Sequence, residues 1–241
     1  METFTYNKKC FFISLSLLLV CCLHIDVVGA QVFKEGGIDS SCESGSQSLS
    51  TRLKQMCHLM ETSAETLMSE QFNRRCHNFI SPDGTLGEWG LLVLDSIEEV
   101  GPSCFYEKMR VDKLCPKYHS MAFKNQAKFW VWVFASISQV ESSCREKVRA
   151  WGVYGWADGL MQLEYSYKLR KSSGRDKKFC RTYGPTDSSA PLFQFQCAAS
   201  ILRDVHCVKN RTLSYRGGYW EKLRGTKRNI SKLIKQFSAC Q

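Results

Sequence analysis

The sequence predicts a mainly α-helical, exported protein held by disulfides, and three observations carry that expectation. Apolar residues recur at helical spacing in successive segments between Leu53 and Val208. A short leader, basic and then apolar, opens the chain, and ten of the thirteen cysteines follow it. Turn-forming clusters such as Ser81-Pro82-Asp83-Gly84 and Gly101-Pro102 separate the periodic segments.

At the N-terminus, Lys8-Lys9 precede an apolar run from Phe11 to Leu23, and Val28-Gly29-Ala30 supply small residues before Gln31. This pattern is that of a secretory signal peptide over residues 1–30, cleaved after Ala30. The run is short for a membrane span, and no later stretch approaches the roughly 20 apolar residues that a spanning helix needs. The mature chain is therefore expected to be soluble, either periplasmic or secreted. A lipid anchor on Cys21 or Cys22 is disfavoured, because neither follows the small residue such a site prefers.

Residues 31–50 are rich in glycine and serine and read as a flexible leader carrying Cys42. Residues 51–125 read as a helical N-terminal region. Leu53, Met56, Cys57, Met60, Leu67, Met68 and Phe72 keep helical spacing, with the methionines as core filler. After the Ser81–Gly84 turn, a second apolar helix runs from Trp89 to Val100 and closes at Gly101-Pro102. With Cys104, Cys115 and Pro116, these pieces form a stapled helical region in which no chemistry is visible.

Cys10, Cys21 and Cys22 leave with the signal, so ten cysteines remain: Cys42, Cys57, Cys76, Cys104, Cys115, Cys144, Cys180, Cys197, Cys207 and Cys240. An even number in an exported chain predicts up to five bridges, in a pairing that sequence cannot give. The competing metal reading notes that His58 and His77 each follow a cysteine. No Cys-x-x-Cys occurs and the gaps are irregular, so neither a metal nor a cofactor is expected. The 241 − 30 = 211 mature residues suffice for one large domain, or for a small helical one joined to a catalytic one.

The formal charge of +10 survives removal of the leader, which holds two basic and two acidic residues. A basic exported protein favours polyanionic surfaces such as cell-wall peptides and acidic wall polymers. Nucleic acid is disfavoured as a partner by export, by the cysteines and by the dispersal of the cations, Lys222 to Lys235 excepted.

The central stretch carries the chemistry. Trp130, Val133, Phe134, Ile137 and Glu141 stand at offsets 0, 3, 4, 7 and 11, one stripe of a 3.6-residue period ending in a carboxylate. Burial and the negative end of the helix dipole both disfavour the charged form there, which suits a general acid. A glycine-broken loop follows, then Gly159-Leu160-Met161-Gln162.

Glu141-Ser142 after an apolar helix, with Ala157 and Gly159 to Gln162 downstream, resembles the lytic transglycosylase family of the lysozyme-like superfamily. The resemblance implies a lysozyme-like α+β catalytic domain over residues 126–241. It would cut peptidoglycan glycan strands between N-acetylmuramic acid and N-acetylglucosamine, with Glu141 as the single acid and base. It also implies that Ser142, Gly159, Leu160, Met161 and Gln162 border the sugar groove, the last four opening a helix. The spacing of 159 − 141 = 18 residues is slightly long for the family, and Trp156 replaces an expected small glycine. The family's Tyr-Asn-x-Gly segment is matched in frame by Tyr215 and Gly218, with Arg216 in the asparagine position, and Tyr219 is the other candidate.

Lys171 to Ser189 reads as a long loop, and Phe193 to Val208 as a helix supporting the floor of the groove. Glu221 to Gln241 reads as a basic amphipathic helix pinned by Cys240. Asn210-Arg211-Thr212 and Asn229-Ile230-Ser231 are formal glycosylation sequons.

Glycoside hydrolysis usually needs two carboxylates, and here the nearest second ones, Asp158 and Glu164, also read as a helix cap and a solvated first-turn residue. If neither serves, the substrate's own 2-acetamido group stabilises the oxocarbenium ion. Three functions are thus in play: a lytic transglycosylase, a hydrolase of goose-type lysozyme character, and an inactive wall-binding protein. Oligomeric state is not legible.

Overall fold

The computed structural model describes residues 71–152, 155–164, 180 and 189–241. The signal peptide, the leader, the helix expected from Leu53, Cys42, Cys57 and nearly all of the Lys171–Ser189 loop lie outside the described residues. Everything described below belongs to one compact unit.

The fold is mainly helical with one small sheet. Helix α1 spans Glu88–Val100, α2 Phe123–Ser142, α3 Pro191–Leu202 and α4 Asn229–Ile234. Strands β1 (Arg149–Gly152), β2 (Gly155–Asp158) and β3 (Leu163–Glu164) form an antiparallel sheet in that order. Among the described residues no helix is long and apolar enough to cross a membrane.

Helix α1 starts after the expected turn, in which the Gly84 N–H donates to the Ser81 carbonyl at 2.9 Å, and it stops at Gly101. It buries Trp89, Val93, Leu94, Ile97 and Val100, chiefly against α3. Proline at the first position of α3 costs no hydrogen bond, because that N–H has no partner within the helix. Beyond Leu202 the chain continues as a π-helix over Arg203–Val208.

Helix α2 departs from the single stripe that its periodicity predicts: every residue from Ala127 to Ser138 is buried. A helix covered all round must be largely apolar and must bond the polar groups it buries, and α2 does both. Trp130 packs edge-on against Phe105 at 5.0 Å and donates its indole N–H to the Tyr118 hydroxyl at 2.7 Å. Tyr118 in turn donates to the Phe105 carbonyl at 2.9 Å. Burial raises the Tyr118 pKa well above the usual tyrosine value, so the hydroxyl stays neutral. Lys128, only 1 % exposed, donates from Nζ to the Gly84 carbonyl at 2.8 Å and ties α2 to the turn before α1.

Helix α2 stops where the sequence predicts. Ser143 and Cys144 both adopt left-handed backbone (φ 52° and 54°), and their N–H groups return to the Gln139 and Ser138 carbonyls. Cys144 is then bridged to Cys76. Glu141 is thereby fixed in the last turn.

Two expectations are corrected here. The loop expected after α2 folds into the sheet, and Gly159–Gln162 form the turn between β2 and β3 rather than the start of a helix. The tail is not one amphipathic helix: six residues of α4 lie between 3-10 turns at Glu221–Leu223 and Ser238–Cys240. The chain leaves the first turn in extended backbone at Arg224, and the Ser231 hydroxyl ties the reversal at the Leu223 and Gly225 carbonyls.

Four bridges join the eight described mature cysteines: Cys76–Cys144, Cys104–Cys207, Cys115–Cys240 and Cys180–Cys197. Cys76 is thus committed to a bridge, which removes it from any metal set with His77. The Cys115–Cys240 bridge spans 125 residues and fastens the tail to the core. Replacing both with serine is expected to lower unfolding stability by ~2–5 kcal/mol, read from the midpoint of urea denaturation. An unchanged midpoint would mean that the tail packs equally well without it.

Candidate active site

Glu141 sits at the end of α2 with its side chain 18 % exposed, between a buried helix and the first turn of the tail. Lys222 Nζ stands 3.9 Å from Glu141 Oε2 and 3.4 Å from the Val140 carbonyl. Burial pushes the Glu141 carboxyl above the ordinary glutamic acid value. The Lys222 ammonium pulls it back, and Glu221 pushes it up again. A carboxyl in this state keeps its proton to higher pH than a solvated one.

These opposed effects make a testable pair. Removing the ammonium in Lys222→Met should raise the Glu141 pKa further, whereas Lys222→Arg should hold it near the parent. Carbon NMR titration of the Glu141 carboxyl measures both. A lower pKa in Lys222→Met would show that another charge controls the acid.

Ser142 belongs to the support of the site. It is 2 % exposed, and its Oγ lies 2.9 Å from both the Ser138 and Leu160 carbonyls, joining the helix end to the β2–β3 turn. That turn is packed inward. Leu160 and Met161 are fully buried, the Met161 N–H donates to Gln194 Oε1 at 3.0 Å, and Trp220 Nε1 donates to the Met161 carbonyl at 2.9 Å. Gln162, in left-handed backbone at φ 48°, donates from Nε2 to the Val148 and Gly159 carbonyls. The Gly159 N–H donates to the Val148 carbonyl at 2.9 Å. The turn thus spends these groups on holding itself against α2 and α3, not on an open groove.

Asp158 is not a helix cap. It is 5 % exposed and accepts from Arg149 at both oxygens, at 2.5 and 3.1 Å, across the β1–β2 pair. Glu164 ends the sheet on β3. Its N–H donates to the Tyr219 hydroxyl at 2.8 Å, and its carboxylate reaches across β2 to occupy the space where a β-carbon on Gly152 would stand. Tyr219 is therefore joined to the end of the sheet. Tyr215 is 38 % exposed, under the Arg211 guanidinium at 5.1 Å.

Sequence reasoning passed over Lys222, Gln194, Trp220 and Arg149. The first three come from distant segments, and no local pattern marks them. Arg149 had a signal: Arg-Ala-Trp-Gly at 149–152 is mirrored by Gly-Trp-Ala-Asp at 155–158, so antiparallel pairing sets like against like and Arg149 against Asp158.

Fold and site together define a disulfide-bonded, mainly helical domain with a half-buried glutamic acid where the longest of the described helices meets a small antiparallel sheet. No family model matches the sequence, and no curated protein does. Solved structures of the Bdellovibrio protein Bd0314 DslA do match. Its wild-type form 2 aligns with a TM-score of 0.53 at 19 % identity, covering 72 % of this chain and 100 % of that one. Two glutamate-to-glutamine mutants of the same protein align with the same TM-score and coverage, at 18 % and 19 % identity. At this identity the likeness is one of fold.

Proposed function

We propose that the protein cleaves peptidoglycan glycan strands between N-acetylmuramic acid and N-acetylglucosamine, as a lytic transglycosylase with Glu141 as its one acid and base. The observation that supports this most is the contrast between two carboxylates: Glu141 is half-buried with a raised pKa, while Asp158 is locked onto Arg149. Protonated Glu141 gives its proton to the glycosidic oxygen as the bond to the muramyl C1 breaks. The substrate's 2-acetamido oxygen stabilises the cationic C1. The Glu141 carboxylate then takes the proton of the muramyl 6-hydroxyl, O6 bonds to C1, and a 1,6-anhydro sugar leaves with Glu141 protonated again. No water is consumed.

A second reading is a hydrolase of goose-type lysozyme character. It is favoured by Glu164, which ends the sheet beside Tyr219, and by the DslA mutants, which carry glutamine at two different glutamates. There, Glu164 would hold the attacking water. Mass spectrometry of digested peptidoglycan separates the two, because anhydro and reducing-end products differ by one water. Glu164→Gln should spare the anhydro product under the first reading and stop hydrolysis under the second. Retention on cell walls with no product from the parent protein would identify a wall-binding protein instead.

A further inference from the structure

Trp151 and Trp156 are 71 % and 50 % exposed, whereas Trp89, Trp130, Trp132 and Trp220 are each 3 % exposed or less. Leaving two indoles in water forgoes much of the gain from burying them, so their exposure calls for a partner. Their arrangement is specified by the fold. They are directly opposed in the β1–β2 register, which puts both on one face of the hairpin, with ring centroids 5.1 Å apart and planes at 87°. One indole thus meets the other edge-on, making a right-angled apolar corner. Arg149 and Asp158, two residues along each strand, share that face, and the Arg149 guanidinium lies 5.5 Å from the centre of the Trp156 ring.

From this corner we propose that Trp151 and Trp156 form a stacking platform for a pyranose ring of the glycan strand, outside the Glu141 site. A pyranose offers an apolar C–H face of about one indole's area and a rim of hydroxyls. The corner matches it, with an apolar floor and wall beside the half-exposed Arg149 guanidinium, which buried Asp158 holds in place. Among the described residues the apolar patch on this face is these two indoles, far less than the ~1,200 Å² that a protein interface buries. The other exposed large apolar side chains among the described residues, Leu192, Val208 and Tyr215, lie on other elements and do not extend it. The same sheet runs into the Gly159–Gln162 turn, whose Leu160 carbonyl is bonded to Ser142 next to Glu141. A polymer held at Glu141 thus has a rigidly connected second contact. The proposal rests on the reading of Glu141 as a glycan-cleaving acid, and binding alone tests it.

The test uses the full mature chain carrying Glu141→Gln to prevent turnover, with an N-acetylglucosamine hexamer and purified peptidoglycan as probes. Because the other four tryptophans are buried, acrylamide quenching reports on Trp151 and Trp156, and both probes should protect them. Trp151→Ala and Trp156→Ala should each weaken binding about tenfold, Trp151→Phe less, with unchanged melting temperature and far-UV circular dichroism. Parent-like affinity in both alanine variants overturns the platform, as does quenching that the probes leave unaltered. So does binding to phosphatidylglycerol vesicles that Trp151→Ala abolishes while hexamer affinity stays the same. Cleavage that survives Glu141→Gln would remove the catalytic reading, whereas parent-like sugar binding by the tryptophan variants would remove only the platform.

Discussion

Glu141→Gln is expected to reduce the proposed glycan cleavage by at least ~10²–10⁴-fold, because in the proposed mechanism one carboxyl would perform both proton transfers and each is commonly worth that factor. Glutamine fits the same space and still hydrogen-bonds, but it neither delivers a proton to the glycosidic oxygen nor removes one from the 6-hydroxyl. Binding to intact glycan should persist. The effect on stability should have the opposite sign. Because folding raises the Glu141 pKa, the ionised side chain costs stability above the folded-state pKa, and this cost disappears below the unfolded value near ~4.3. The variant should therefore be as stable as the parent or more so at neutral pH, with the difference vanishing in acid. Release of product at the parent rate would place the acid elsewhere, and Glu164 would be the next residue to replace.

Gly159→Val is expected to unfold the protein more readily, and this reverses what the sequence implied. If the turn lined an open groove, a side chain at Gly159 would block sugar and spare the fold. In the structure Gly159 has φ +75°, a conformation that a β-branched residue rarely adopts, and a β-carbon there would stand 2.6 Å from the Gln194 side chain. Backbone strain of about 1–3 kcal/mol and overpacking of similar size should both appear. Gln194 cannot retreat cheaply, since its carbonyl oxygen holds the Met161 N–H and it is fully buried. A clear drop in the urea midpoint is expected, smaller in Gly159→Ala, with loss of any cleavage because Leu160 steadies Ser142 beside Glu141. An unchanged midpoint would show that the turn can open, as the groove reading requires.

The place of Glu141 at a helix end was legible because a carboxylate closing an apolar helix is a local pattern, and the left-handed Ser143 and Cys144 mark where the helix ends. The role of Gly159 was not, because its constraint is Gln194, 194 − 159 = 35 residues later. The hairpin lies between these cases. The mirrored order Arg149-Ala150-Trp151-Gly152 and Gly155-Trp156-Ala157-Asp158 encodes its register, yet helical periodicity on both sides and glycines within made it read as loop.

By itself the sequence determined the helical class, the limits of α1 and the end of α2, the position of α3 and the presence of bridges. Each of these follows from side-chain period, turn chemistry or residue count, which act over a few neighbours. Tertiary structure alone decided that α2 is buried on every side, that Lys222 faces Glu141, and which cysteines pair. Those depend on segments up to 125 residues apart meeting in space. Charge interactions fall off and desolvation sets in over a few ångströms, so the electrostatics of the acid exist only once those segments have met.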